Sequence, residues 1–407
     1  MIFDSLDVSY GEMWGSYRGM AHPDPMSRAL AARKHAAGMD YAVLLSARER
    51  PLALVEYWPR RMWRVYLFDD RSWCMQMIDL KPHHTGMLLA HRNTRWQFST
   101  EQEHSSGQWD VQETTTVLAD RMVEVRSEFA GPRGAPTQPL HARAPGRSSS
   151  DPEHVPVRLL SAPVEDFLCP VPEFGDWQVF APFLAQQGHE PATTVVLRDV
   201  SVDEGSGPLR ATEIEQLFTP GECDTPDGPA VVEPVDAGLL RITSGQLAVS
   251  DPGWISDPRT VAVPPGEFPV TLSLLRTTHG ARVAAARVTF LDSPPREWEM
   301  ALRPDEDLEL LGEGQFYGVG VDTGTAAFMD ATRTVIEEQL DEDLFIPLDS
   351  DSRFSVELPG TEPEPNLIAF RAGQGDGAYP VWIGRTDDGR VGCVVVDFQL
   401  HSADGGE

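Results

Sequence analysis

Glycine and proline interrupt this chain too often for long helices. The sequence holds 34 glycines and 34 prolines in 407 residues, and few long segments have helical periodicity. Both residues end helices and favour turns. Short strands joined by many turns therefore fit the sequence best. We predict a mainly β, β-rich α+β fold with two domains of antiparallel sheet and a few short helices, because 407 residues exceed what one core usually holds.

The domain boundary is predicted from one stretch of unusual composition. Residues 131–157 lack hydrophobic periodicity and are rich in proline, glycine and serine, which is typical of a linker. We therefore predict an N-terminal antiparallel β domain over residues 1–130 and an acidic β-rich domain over residues 158–407. Short alternating segments between residues 41 and 129 predict a meander of strands in the first domain.

Helices are predicted at three places. Residues 24–38 read as a helix capped by Asp24 and ended by Gly38, with Pro25 at its first turn. A short helix is predicted over residues 176–187 and another over residues 325–341, followed by a mobile acidic loop over residues 341–365. For residues 326–330 a strand is the alternative, which would place Phe328 and Asp330 on one face.

The negative charge lies in the second part of the chain. Residues 1–150 carry 18 Lys and Arg against 17 Asp and Glu, whereas residues 151–407 carry 15 against 46. Such an acidic surface repels phosphate backbones, so nucleic acid is not an expected partner. The apolar runs are too short to span a bilayer. Four dispersed cysteines and an N-terminus without a long apolar core predict a cytoplasmic protein with reduced thiols.

Two glycine-rich turns contain most of the candidate site. Each turn holds an aspartate beside an apolar run, and further aspartates stand at predicted strand ends, Asp397 among them. The candidate ligand or metal site consists of Asp251, Asp322, Thr323, Gly324, Asp330, Gly375, Asp376, Gly377, Tyr379 and Trp382. Converging carboxylates would suit magnesium or calcium and metal-assisted hydrolysis. Alternatively, each aspartate bonds turn amides, and the two aromatic residues cover a sheet face instead of lining a pocket.

Other chemistries fit the sequence less well. Residues 322–325, Asp-Thr-Gly-Thr, resemble the phosphate loop of actin-like and sugar-kinase ATPases, but only 82 residues follow, too few for the second lobe of those folds. Nine of the eleven histidines lie before residue 190. A zinc site of histidines and cysteines is therefore not expected in the second domain, and a catalytic triad there would have to use His279.

Several ordered segments carry a family resemblance. They are Gly245–Pro252, Pro264–Val270, Trp298–Leu302, the two aspartate turns and Val396–Phe398. Over about residues 214–400 the chain resembles a bacterial domain-of-unknown-function family, DUF4241-like, and the N-terminal half resembles nothing recognisable. The resemblance implies a compact β-rich domain, usually intracellular, with no established reaction. It also implies that Asp251, Asp322, Asp330 and Asp376 matter together, for structure or for chemistry.

Two hypotheses of function follow. The leading one is a non-enzymatic binding or interaction module without a cofactor, whose acidic domain engages a protein partner or a small ligand. The alternative is a metal-dependent hydrolase that uses Asp251, Asp322, Asp330 and Asp376 with a divalent cation. Three carboxylates within reach of one ion would favour the hydrolase. Separate aspartates bonded to backbone would favour the interaction module.

Overall fold

The protein is strand-rich with few short helices, as predicted. The computed structural model describes residues 2–12, 25–58, 62–98, 109–118, 122–129, 157–187, 189–202, 205, 207–225, 228–255, 258–333, 340–349, 353–360 and 365–400. The chain forms two compact units, residues 1–205 and 206–407. The predicted linker lies outside the described residues except for Val157.

The first unit is built on one large sheet. Its strands are β1 Ile2–Gly11, β2 Pro25–Met26, β3 Tyr41–Ala47, β4 Arg50–Trp58, β5 Met62–Phe68, β6 Cys74–Pro82, β7 Leu88–Gln97, β8 Val111–Val117, β9 Met122–Phe129, β10 Val157–Ser161, β11 Leu168–Cys169 and β12 Glu190–Asp199. The order is β10-β9-β8-β7-β6-β5-β4-β3-β1-β12, with β2 on β1 and β11 on β7. Strands β3 to β9 form the predicted meander.

The second unit begins later than predicted. Strand β10 pairs with β9, β11 pairs with β7, and β12 runs parallel to β1. These ladders tie residues 157–199 to the first sheet, so the predicted start at residue 158 is wrong and the unit starts at residue 206. Backbone pairing outweighed the change in composition on which the prediction rested.

Helices cover one face of the first sheet. Helix α1 spans Arg28–Ala37, its Leu30 N–H bonds the Ser27 hydroxyl at 3.1 Å, and Gly38 ends it with φ +72°. The predicted end is confirmed, but the helix begins at Arg28 because Pro25 and Met26 pair with β1. Asp24 lies outside the described residues. The predicted helix at 176–187 forms as 3₁₀ turns Trp177–Phe180 and Ala185–Gln187 around the α-helical turn Ala181–Leu184, and a further 3₁₀ turn spans Val164–Phe167.

The second unit has two sheets. Their strands are β13 Gly221–Thr225, β14 Gly228–Ile242, β15 Gln246–Ser250, β16 Arg259–Ala262, β17 Gly266–Thr277, β18 Gly280–Thr289, β19 Glu297–Met300, β20 Gly318–Val321, β21 Thr325–Asp330, β22 Ser355–Leu358, β23 Leu367–Arg371, β24 Gly377–Arg385 and β25 Val391–Asp397. One sheet has the order β13-β14-β17-β18-β25-β24-β19, with β20 on β24, and the other has the order β16-β15-β21-β23-β22. 3₁₀ turns span Ile214–Phe218 and Leu308–Leu310.

Strand alternation explains how the five-stranded sheet is covered on both faces. On β21, Phe328 enters the core shared with the eight-stranded sheet, whereas Ala327 and Met329 enter a second cluster. That cluster is closed by Leu340, Leu344 and Leu348, which lie on a π-helical turn, Leu340–Phe345, and a helical turn, Ile346–Asp349. Strand β21 is therefore buried along its whole length.

This packing corrects two predictions. The helix predicted over residues 325–341 is wrong over 325–330, where the alternative strand forms; residues 334–339 lie outside the described part. The predicted loop over residues 341–365 contains the two helical turns at Leu340–Asp349 and strand β22. In the part of the chain that the structure describes, no helix is both long enough and apolar enough to cross a membrane.

Candidate functional site

Asp251 holds a neighbouring turn in place. It follows β15, is fully buried, and its Oδ2 accepts hydrogen bonds from the N–H groups of Asp322 and Thr323, both at 2.8 Å. Its Oδ1 accepts from the Thr323 hydroxyl at 2.9 Å and from the Gly253 N–H at 2.7 Å. Four bonds saturate a carboxylate with its two oxygens. Asp251 therefore joins two loops of the second unit.

The two glycine-rich turns also meet each other. The Gly324 N–H donates to Asp376 Oδ1 at 2.9 Å, and Gly324 takes φ +64°, which glycine adopts without strain. The Gly324 carbonyl accepts from the Ala372 N–H, and the Tyr379 hydroxyl closes the second turn on the Gly375 carbonyl at 2.9 Å. The amides of residues 322–324 thus point at protein carboxylates, which is where a phosphate loop would bind its anion.

Asp330 is the last residue of β21 and, like Asp251, holds neighbouring backbone in place. Its Oδ2 accepts from the N–H groups of Thr243 and Ser244 at 2.6 and 2.7 Å, and its Oδ1 accepts from the Thr332 N–H and hydroxyl at 2.8 and 2.6 Å. Burial alone raises the pKa of this carboxyl. The hydrogen bonds from Ser244, Thr332 and Thr243 outweigh burial, and the pKa lies well below the usual range. Asp330 stays ionised to stabilise backbone.

The remaining candidates are dispersed. Trp382 and Tyr379 are buried in the core of the second unit, so the sheet-covering alternative holds for both. The Tyr379 ring meets Phe398 edge-on at 4.8 Å. Asp397 accepts a hydrogen bond from the Gln399 N–H at 2.8 Å, within its own turn. Asp322 takes part through its backbone, and its side chain is exposed.

The predicted residues therefore form one connected structure and two outliers. Asp251, the turn at residues 322–324 and the turn at residues 375–379 contact one another, whereas Asp330 and Trp382 do not join them. Among the residues that the structure describes, no three histidine, cysteine, aspartate or glutamate side chains form a group able to hold a metal ion. The carboxylates of Asp251, Asp330 and Asp376 accept hydrogen bonds from backbone N–H groups and do not converge on one point.

Two exposed apolar side chains, called the apolar pair below, stand on neighbouring segments beside this structure and were not predicted. Trp254 follows the Asp251 turn with 62% of its surface exposed, and Ile346 is 64% exposed at the start of the helical turn Ile346–Asp349. The two segments touch: a Cβ on Gly253 would lie 3.0 Å from Thr323 Cγ2 and 4.0 Å from Phe345 Cζ. A tryptophan directly after an Asp-Pro-Gly turn was the available signal, because a turn seldom buries so large a ring.

Exposed carboxylates stand on the helical segment that carries Ile346 and on the turn bonded to Asp251. Asp322, Asp341, Glu342, Asp343 and Asp349 are all exposed. None of the five has an ion-pair partner within the described residues. We call Trp254, Phe345 and Ile346, together with these five carboxylates, the Trp254 surface. Sequence alone concealed it because the acidic stretch around Ile346 resembles a solvated loop.

Comparison with known proteins matches only the second unit. Residues 240–396 match the family described as "Protein of unknown function (DUF4241)", in agreement with the resemblance seen in the sequence, and the N-terminal part has no family match. No curated protein and no solved structure matches the chain.

Proposed function

We propose that this protein is a cytoplasmic, non-enzymatic interaction module whose second unit binds a protein partner through the Trp254 surface. The observation that carries the proposal is the exposure of Trp254 on a turn that is held rigidly by Asp251. Large apolar side chains exposed together mark interaction sites more often than isolated ones do. Tryptophan is also enriched among residues that dominate binding free energies.

The energetics favour a protein partner. A tryptophan side chain presents up to about 250 Å², so the exposed part of Trp254 offers roughly 150 Å². At about 25 cal/mol per Å², covering it would contribute about 4 kcal/mol, before Ile346 is counted. The Asp251 hydrogen bonds to residues 253, 322 and 323 fix the turn before binding. Less conformational entropy is then lost when a partner docks.

The carboxylates support an interaction module over a hydrolase. Asp251 and Asp330 are fully buried and accept hydrogen bonds from backbone amides with both oxygens. A carboxylate saturated by amides has no lone pair directed at a metal ion or a substrate water. Asp376 accepts a hydrogen bond from the Gly324 N–H, so this amide of the glycine-rich turn is also bonded within the protein.

The cysteines support the proposed location in the cytoplasm. All four are free, and Cys74, Cys169 and Cys393 are buried. Burial raises the pKa of the Cys74 and Cys393 thiols to about 12, which leaves them protonated and unreactive at neutral pH. Free thiols in a chain of this size are usual in a reducing compartment.

The test compares three full-length proteins immobilised as baits: wild type, Trp254→Ser and Leu239→Ser. Leu239 is the matched control because it is 54% exposed on β14 of the same unit. Proteins captured from an extract of the producing cells are quantified by mass spectrometry, and each candidate is then purified for a direct affinity measurement. We expect a partner that binds wild type and Leu239→Ser and loses about tenfold or more in affinity for Trp254→Ser. Equal binding to all three baits, or no direct binding by any purified candidate, overturns the proposal.

A further inference from the structure

The charges around Trp254 indicate what kind of partner segment would fit. We infer that the Trp254 surface binds a basic protein segment, in which arginine or lysine side chains flank an apolar side chain. This inference rests on the proposed function and names the partner's chemistry. It is carried by the Trp254 ring, the helical segment at residues 340–349 and the five exposed carboxylates of the surface.

The charge of the Trp254 surface is strongly negative. The segment Leu340–Asp349 holds four of the five carboxylates and no basic residue, and Asp322 adds the fifth from the adjoining turn. Within the described residues, Arg371 contacts this segment through its guanidinium, which donates to the Leu348 carbonyl. Over residues 206–407 the chain carries 13 Lys and Arg against 36 Asp and Glu. Such a field attracts cations and raises their rate of encounter.

The helical spacing places charge on both sides of Phe345 and Ile346. Leu340, Leu344 and Leu348 recur every four residues and are buried against the five-stranded sheet. Positions one turn apart on a helix lie above one another. Asp341 and Glu342 precede Phe345 and Ile346 by four residues, about one turn of the π-helical segment, and Asp349 follows Ile346 by three residues, about one α-helical turn. A partner side chain that covers Ile346 would bring its neighbours against carboxylates.

The ring adds a preference for cations. Tryptophan has the strongest attraction of the aromatic side chains for a guanidinium or ammonium group placed over its face. Trp254 is 62% exposed and follows Gly253, where a built Cβ would lie 3.0 Å from Thr323 of the neighbouring turn. The same charges repel nucleic acid phosphates and anionic lipid head groups. A basic protein segment satisfies the ring, the apolar contact and the carboxylates together.

The test uses two fluorescein-labelled peptides of about 12 residues that share leucine and glycine positions and differ only in carrying arginine or glutamate elsewhere. Fluorescence anisotropy measures their binding to the full-length protein. Four variants are compared with wild type: Trp254→Ser, Ile346→Ser, the triple variant Asp341→Asn/Glu342→Gln/Asp343→Asn, and a control triple variant Glu222→Gln/Asp224→Asn/Asp292→Asn. The control removes the same charge from exposed positions elsewhere in the unit.

We expect the arginine peptide to bind at least about tenfold more tightly than the glutamate peptide and to weaken as salt is raised. Trp254→Ser, Ile346→Ser and the Asp341 triple variant should each weaken it by about fivefold or more, and the control triple variant by less than about twofold. Three results overturn the inference: equal binding of both peptides, equal losses in the two triple variants, or displacement of the arginine peptide by millimolar tetramethylammonium, which would indicate a small cationic ligand. A partner that depends on Trp254 in the capture experiment but is acidic would leave the proposed function standing and overturn only this inference.

Discussion

Replacing Asp330 by asparagine tests whether the buried aspartates are structural. The change keeps the shape of the side chain but removes its charge and turns one acceptor oxygen into a donor. Asp330 faces three backbone N–H groups and two hydroxyls, those of Thr243, Ser244 and Thr332. Whichever way the amide is oriented, at least one of these N–H groups meets another donor.

The magnitude follows from those contacts. A hydrogen bond to a charged group contributes about 1.5–3 kcal/mol, and a buried donor left without a partner costs a similar amount. Losing the pair of bonds on one oxygen should therefore lower the free energy of unfolding by about 3–5 kcal/mol. With a urea m-value of about 2 kcal/mol/M, the midpoint for the second unit should fall by about 2 M.

The assay is urea unfolding of the full-length protein, read by hydrogen exchange and mass spectrometry so that peptides of residues 206–407 report their own transition. Asp376→Asn is the matched control, because Asp376 is exposed and accepts one bond from Gly324. It should cost about 1 kcal/mol. Peptides that contain Thr243 and Thr332 should lose protection first in Asp330→Asn.

The effect should also depend on pH in one direction. The folded-state pKa of Asp330 is depressed, so its stabilisation is present above the unfolded value of about 3.9 and is lost as the pH falls towards the folded value. The difference between wild type and Asp330→Asn should therefore be constant near pH 7 and shrink below about pH 4. A difference under about 1 kcal/mol at pH 7, or one that grows as the pH falls, would refute the assigned role.

Three further outcomes are expected. Asp251→Asn should lower the free energy of unfolding of the second unit by about 3 kcal/mol. Asp322→Asn should change it by less than about 0.5 kcal/mol, because the Asp322 side chain is exposed. The two variants are compared by their urea midpoints. Phe328→Ala should cost about 3–5 kcal/mol by the same measurement, since the ring is fully buried between the sheets. EDTA followed by magnesium, calcium, manganese or zinc should leave the melting temperature unchanged, and a rise of several degrees with one cation would revive the hydrolase hypothesis.

The sequence predicted strands best where turn residues mark both of their ends. Strands β3 to β9 are separated by clear turns, and their residues divide between the two faces of one sheet: Val43 and Leu45 enter the core under helix α1, and Leu44 enters the cluster on the other face. Strand β21 is also buried on both faces, with Ala327 and Phe328 on opposite sides, but no glycine or proline separates it from the residues that follow. Period-based reasoning cannot distinguish that strand from a buried helix. The unit boundary failed for a related reason, since pairing of β12 with β1 joins residues far apart in the chain.

The candidate site was predicted in part for the same physical reasons. Glycine and aspartate in sequence indicated the two turns, and their contact through Gly324 and Asp376 is observed. Asp322, whose N–H donates to Asp251, lies 71 residues further along the chain, and no local sequence pattern indicates a hydrogen bond between residues so far apart. The Trp254 surface was missed because Ile346 stands in an acidic stretch, where composition indicates solvent and conceals a helical turn packed on a sheet.

The aspartates and glutamates of the second unit fall into two physical groups, and the proposed function depends on the difference. Buried carboxylates such as Asp251 and Asp330 accept hydrogen bonds from backbone amides with both oxygens, and these bonds hold loops in place. Exposed ones such as Asp341 and Asp349 have no ion-pair partner in the described chain and leave their field in solvent. Asp251 in the first group fixes the turn that carries Trp254, and under the proposed function the exposed group sets which charge a partner must bring. A family of related units could therefore keep the turn-forming aspartates and change partners by altering the exposed acidic residues alone.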